Sequence, residues 1–331
     1  MPLVTRKEND LSNITLDHVT GEYPIDCNGE YVVLYGKDLW IFKTNGAFVA
    51  HRPDIANPFK VAFLKGNHLL ISGGKNAYHL ISLADGSTVW NIQQKKREGQ
   101  TSNFAVSRSG LFAYDYYYWL DKSFLVQLDL QSGKKEEFAI TEGLRSTWGI
   151  ICDENDIPCL LQCQTDGDRD RYICHQGVLC HNQSLTGGEN TWKYKWSTVD
   201  KVRPAGFLNN VDTIITDHLT IYNPVNQHSY PLISEKEREY LSKKPFLMFR
   251  KDLSQRYLTL VYQTANVVID CWDRKVVACY TTVGYTLGCP VGNEYWVCID
   301  RKIVRKPFPL IEKDIFAIKS MPSFFYKKGD G

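Results

Sequence analysis

The chain has 331 residues, 43% of them hydrophobic and 23% charged, with a formal net charge of +2. That balance allows a real core and is ordinary for a soluble protein, and it gives no overall charge with which to hold a nucleic acid or an anionic membrane. No run approaches the roughly 18 apolar residues of a membrane-spanning helix, and ten cysteines without an apolar leader are expected as free thiols in the cytoplasm.

In chain order, the first apolar run is Ile14-Thr15-Leu16-Asp17-His18-Val19, which has no turn partner of its own. A repeating unit follows. Its first copy places Tyr31–Tyr35 and Leu39–Phe42 before the turn Thr44-Asn45-Gly46 and a further β-rich run at Ala47-Phe48-Val49. The second places Leu69–Ser72 and Tyr78–Ile81 before Ala84-Asp85-Gly86, and the third turns at Gln131-Ser132-Gly133. Asn-Gly and Asp-Gly suit tight reversals because Gly takes positive φ without steric cost. Gly187-Gly188 marks the fourth turn, and Pro224-Val225-Asn226-Gln227 and Trp272-Asp273-Arg274-Lys275 are degenerate equivalents. The spacing of about 40 to 50 residues is that of propeller blades.

Seven short runs open the units, and four strands per opening predict an all-β, seven-bladed β-propeller of four-stranded antiparallel blades. The expected blades are 23–52, 58–94, 101–141, 146–199, 202–233, 245–283 and 284–312. Runs such as Leu258–Tyr262 and Val267–Ile269 are apolar on both faces, as strands stacked between two other sheets should be. The last unit stops early at Lys306-Pro307-Phe308-Pro309, so residues 13–20 are expected to supply its outer strand and close the ring. The capping sequence Ser234-Glu235-Lys236-Glu237 predicts a helical insertion over 234–243.

The stretch Leu80-Ile81-Ser82-Leu83-Ala84-Asp85-Gly86-Ser87-Thr88-Val89-Trp90 resembles the repeat of quinoprotein-like (PQQ-repeat-like) β-propellers, a strand, an acid-and-glycine turn, and a strand ending in Trp. Val126–Lys134 is similar. The resemblance implies the propeller fold. It lies in a structural motif rather than an active-site motif, so it implies neither quinone binding nor any other cofactor.

Three groups of residues are candidates for chemistry. The fourth unit concentrates Cys159, Cys163, Cys174 and His175, which are expected to pack as small core residues, with zinc ligation as the alternative. Asp166, Asp168 and Asp170 alternate with Arg169 and Arg171, which suggests a solvated turn, with a calcium loop as the alternative. The aromatic run Tyr116, Tyr117, Tyr118 and Trp119 is the richest patch, and Tyr and Trp combine large buried area with a polar tip. In a four-stranded blade the turn between second and third strands shares a rim with the connection between blades. That rim would collect this patch, Arg169, Arg171, the basic run Lys95, Lys96, Arg97, and the helix. Both charge signs beside aromatic residues suit a protein partner. No His-Glu-x-x-His, Gly-x-Ser-x-Gly or phosphate-cradling loop is present in the sequence. The expectation is a monomeric, non-catalytic module that binds a protein through the rim. The alternative is a lyase, hydrolase or metal-binding propeller with its site at the central channel.

Overall fold

In the computed structural model the described residues are 14–318, apart from 22, 74–76, 95–98, 101–102, 120–121, 141–146, 167–168, 180–191, 199–201, 203, 209, 245–247, 252–255 and 283–285. The β-rich runs pair with their sequence neighbours into seven antiparallel sheets, each ordered from inner to outer strand along the chain. Blade one comprises Ile25–Cys27, Tyr31–Leu34, Leu39–Lys43 and Phe48–Arg52, and blade two Lys60–Leu64, His68–Gly73, Ala77–Ser82 and Thr88–Gln93. Blade three has Ala105–Val106, Phe112–Trp119, Lys122–Asp129 and Lys135–Ile140, with Gly99–Gln100 as a further inner segment. Blade four has Thr147–Cys152, Pro158–Asp166, Arg169–Gly177 and Trp192–Ser197. Blade five has Pro204–Leu208, Asn210–Thr216, Thr220–Asn223 and His228–Pro231, and blade six Met248–Lys251, Tyr257–Tyr262, Ala265–Asp270 and Lys275–Thr281. The last blade has Cys289–Val291, Glu294–Ile299 and Lys302–Pro307.

Alternation along each strand sends successive side chains to the two neighbouring blades. In blade one, Val32 and Leu34 meet Trp296 of blade seven, whereas Tyr31 and Val33 meet Leu69 and Ile71 of blade two. Seven apolar clusters repeat this arrangement, one at each junction. The cluster joining blade seven to blade one makes the sheets a closed ring, a seven-bladed β-propeller.

Two features of the closure depart from expectation. Residues 14–19 form no strand; Leu16–His18 is a single 3-10 turn. Thr15 and His18 bond to one another through backbone and side chain, so local partners replace a ladder. The segment still seals the ring. Ile14, Leu16 and Val19 pack into the blade seven–one cluster beside Ile303, and the Gly21 N–H donates to the Arg301 carbonyl at 3.0 Å. The seventh sheet accordingly has three strands among the described residues. Residues 310–312, expected in blade seven, lie instead along blade six, where the Cys279 N–H donates to the Leu310 carbonyl and Cys279 bridges Ile311 in parallel.

The insertion helix forms at Glu235–Ser242, where the Ser234 hydroxyl accepts from the Glu237 N–H and donates to the Glu237 carboxylate. Leu241 anchors it in the blade five–six cluster.

Candidate functional site: a raised rim on blades three and four

Strand length sets the height of the rim. The second and third strands of blade three have eight residues each, and those of blade four have nine, whereas Tyr31–Leu34 and Thr220–Asn223 have four. At about 3.3 Å per residue, the surplus lifts two adjacent hairpins roughly 10 Å or more above a short blade. The lift is directed: Ala105–Val106 pairs only with Tyr114 and Ala113, so residues 115–119 continue beyond the inner strand. Gly99–Gln100, arriving from blade two, pairs with Tyr118 and Tyr117 and braces that extension. In blade four, pairing of Pro158–Asp166 with the inner strand ends at Gln162 among the described residues, and residues 163–166 rise paired there to Arg169–Tyr172.

Asp115 fixes the base of the first hairpin. Its carboxylate is fully buried and takes the Lys60 ammonium of blade two, the Tyr78 hydroxyl at 2.6 Å and the Tyr116 N–H at 2.8 Å. The Lys60 ammonium also sits 5.1 Å from the Phe104 ring centroid. A charge in such surroundings is tolerable only when paired and hydrogen-bonded.

Above this base the aromatic run divides. Tyr116 and Tyr117 are buried, the first bonded to the Ser123 hydroxyl at 3.0 Å and the second stacked on Phe124 with ring centroids 5.1 Å apart. They cannot meet a partner without opening the blade, which corrects the expectation for these two. Tyr118 is 41% exposed and Trp119 is half-buried, so the accessible part of the patch is its upper end. Arg171 is exposed on the neighbouring hairpin, whose backbone pairs Asp166 with Arg169 and Thr165 with Asp170. Lys95, Lys96, Arg97 and Asp168 lie outside the described residues, as do the side chains of Asp166, Arg169 and Asp170.

The cysteine and histidine candidates do not converge. Cys159, Cys163 and Cys174 share the sheet face turned to blade five, with Leu161, Tyr172 and Trp196. His175 occupies the opposite face, paired across to Leu160 and 3.3 Å from the Gln162 side-chain oxygen. The bond to Cys174 and burial together push the Cys159 thiol well above its ordinary value, and burial holds the His175 imidazole below its own. Thiols packed in an apolar cluster are core residues. Among the described residues no three His, Cys, Asp or Glu side chains come together as a metal set.

Sequence reasoning passed over one polar cluster on the same rim. Asp38 accepts from the Tyr23 hydroxyl at 2.6 Å, the Trp40 indole N–H at 2.9 Å and the His51 ring nitrogen at 2.8 Å, and His51 stacks on Trp40 at 3.7 Å. Burial raises the Asp38 carboxyl, but those donors outweigh it and hold the group below its ordinary value. Burial and the bond to Asp38 push Tyr23 up to about 12. The available signal was an acid two positions before Trp, on one strand face, which recurs where the Trp296 N–H reaches Glu294 at 3.0 Å. With both carboxylate oxygens bonded to neighbours, Asp38 reads as a clamp on blade one.

No protein-family model and no curated protein matches the sequence. By structure the chain is similar to Kuenenia stuttgartiensis hydrazine synthase, at 11% identity and a TM-score of 0.55, covering 91% of this chain and 97% of that one. It is also similar to the β-propeller domain of Myceliophteria thermophila Cps50 (Swd1), at 10% identity and a TM-score of 0.54, covering 86% of this chain and 96% of that one. Likeness at these identities carries the propeller fold and leaves the function to the site.

Proposed function

We propose that the chain is a non-catalytic interaction module that docks a protein partner on the rim raised by blades three and four. The observation that carries this reading is the pair of adjacent tall hairpins, with Tyr118 and Trp119 at the head of one and Arg171 exposed on the other. Aromatic and arginine side chains on a rigid base are the usual anchors of protein interfaces: the rings bury large area at low entropy cost, and the guanidinium offers several donors in a fixed fork. The finer likeness to quinoprotein-like propellers is supported by the indole of Trp90, which covers the turn at Gly133 in the next blade. A cytoplasmic location is supported by the nine described cysteines, all free thiols.

The test compares wild type with a Tyr118→Ala, Trp119→Ala, Arg171→Glu variant. Both are expressed as tagged bait in native cells, and co-purifying proteins are quantified by mass spectrometry. A stoichiometric partner is expected with wild type and at least about tenfold less with the variant, since each hot-spot truncation costs about 1 kcal/mol or more. Matched melting temperatures exclude misfolding. An unchanged set of partners would remove this surface from consideration.

A further inference from the structure

The turns between third and fourth strands open on the opposite rim, and there the outer strand of one blade roofs the turn of the next. Trp90 of blade two lies so close over Gly133 that an added Cβ would meet its indole at 3.0 Å, and its N–H donates to the Leu130 carbonyl at 3.2 Å. Ala50 of blade one sits where a Gly86 Cβ would have to go, at 2.1 Å, and Arg52 donates to the Gly86 carbonyl at 2.6 Å. Arg305 of blade seven approaches Gly46 in the same way, at 3.4 Å.

The seam between blades five and six differs from these three. The turn position holds Arg274 instead of Gly, at φ 52°, and the roofing strand offers Tyr230. A long side chain here keeps the aromatic ring from closing on the turn. Tyr230 stays 45% exposed, with the Arg274 guanidinium 5.7 Å from its centroid. Two residues earlier in the same turn, Trp272 is 65% exposed. Arg256 lies 5.2 Å from the Trp272 centroid and is itself fixed by Asp270 at 2.7 and 2.8 Å. Arg274 has no carboxylate partner among the described residues, whereas Asp273 is engaged by Lys275 at 3.1 Å.

We infer that this seam is a second docking site, independent of the raised rim, for a short acidic-apolar protein segment. A carboxylate takes the open fork of Arg274, and a neighbouring apolar side chain lies on Trp272 and Tyr230. A planar guanidinium pairs with a carboxylate in two parallel bonds, and the Tyr230 ring beside it restrains it beforehand. A single unengaged cation suits one carboxylate and offers too little charge for a run of phosphates.

The experiment pans a displayed library of random peptides on the folded protein and on Arg274→Gly. Glycine suits the positive φ of the turn, so this variant keeps the fold. Peptides joining Asp or Glu to a large apolar residue are expected to be enriched on wild type. Synthetic copies should bind at least about tenfold more weakly to Arg274→Gly or Trp272→Ala, or when the acid is replaced by its amide. The Tyr118→Ala, Trp119→Ala, Arg171→Glu variant should bind them unchanged. The inference is overturned by no enrichment, by enrichment of neutral or basic peptides, or by equal binding to Arg274→Gly. Binding of single-stranded oligodeoxythymidine that Arg274→Gly abolishes would overturn it in favour of a nucleic acid.

Discussion

Asp115 is where the polar chemistry of the raised hairpin meets its packing, since it lies in the same strand as the buried Tyr116 and Tyr117 and two blades share its ion pair. Removing one member of a buried pair strands the other charge, at a cost of about 3–5 kcal/mol, whereas replacing both by apolar residues is often neutral or better. Asp115→Ala is therefore expected to lose about 3–5 kcal/mol in urea unfolding, and Lys60→Met with Asp115→Leu to recover most of it. If the single variant melts like wild type, the pair contributes nothing to holding the hairpin. None of this was legible in the sequence. Lys60 and Asp115 are 55 positions apart on different blades, and only the folded ring brings them together. Tyr116 to Trp119 was legible as a patch, but its division was not. Burial there depends on how far the neighbouring strands climb beside it, which no local pattern records.

Turns were the most legible elements, even where glycine was missing. Asp129 accepts the Gln131 and Ser132 N–H groups, and Asn223 and Asp270 do the same for Val225 with Asn226 and for Trp272 with Asp273. The side chain at the head of the turn sets the reversal. The later residue then takes positive φ whatever its type: 71° at Gly133, 60° at Gln227 and 52° at Arg274. The left-handed conformation costs a residue with a Cβ about 1–2 kcal/mol. Gln227→Gly is thus expected to raise stability by up to about 1 kcal/mol, part of the relief being offset by unfolded-chain entropy. Gly133→Ala should lower stability by at least about as much, because it adds the Trp90 encounter to the backbone cost. Thermal unfolding of both variants checks the pair, and opposite signs are required. The run at 14–19 misled for a reason of the same kind. It carries β-forming residues, but Thr15 and His18 satisfy one another locally, and a ladder was not the better partner.

At the scale of the whole molecule, a ring whose last sheet has three strands among the described residues is held by residues 14–21 and 310–318 packing across junctions. The N-terminal turn seals blade seven to blade one, and the C-terminal run ties blade seven back to blade six. Glu312 is the pivot of that tie. Its carboxylate accepts the Thr281 N–H at 2.9 Å and the Lys306 ammonium at 2.7 Å, and its own N–H donates to the Cys279 carbonyl. Beyond it, Ile315 and Ile318 enter the blade five–six cluster, and the Tyr240 hydroxyl of the insertion helix donates to the Ile318 carbonyl at 3.0 Å. Burial raises the Glu312 carboxyl, but the Lys306 and Thr281 bonds outweigh it and leave the group below its ordinary value. A group lowered on folding stabilises fully above its unfolded value, about 4.3 for Glu, and loses that contribution as pH falls through the folded one. The strap should therefore loosen under acid before the blades do. Hydrogen-exchange protection factors at the Cys279 and Glu312 amides are expected to fall below about pH 4, while those of Val268 within blade six hold. Glu312→Gln should show weaker protection that no longer varies with pH in this range. Equal acid sensitivity at Cys279 and Val268 would mean that the strap and the ring open as one unit, and that the carboxylate is not what ties them.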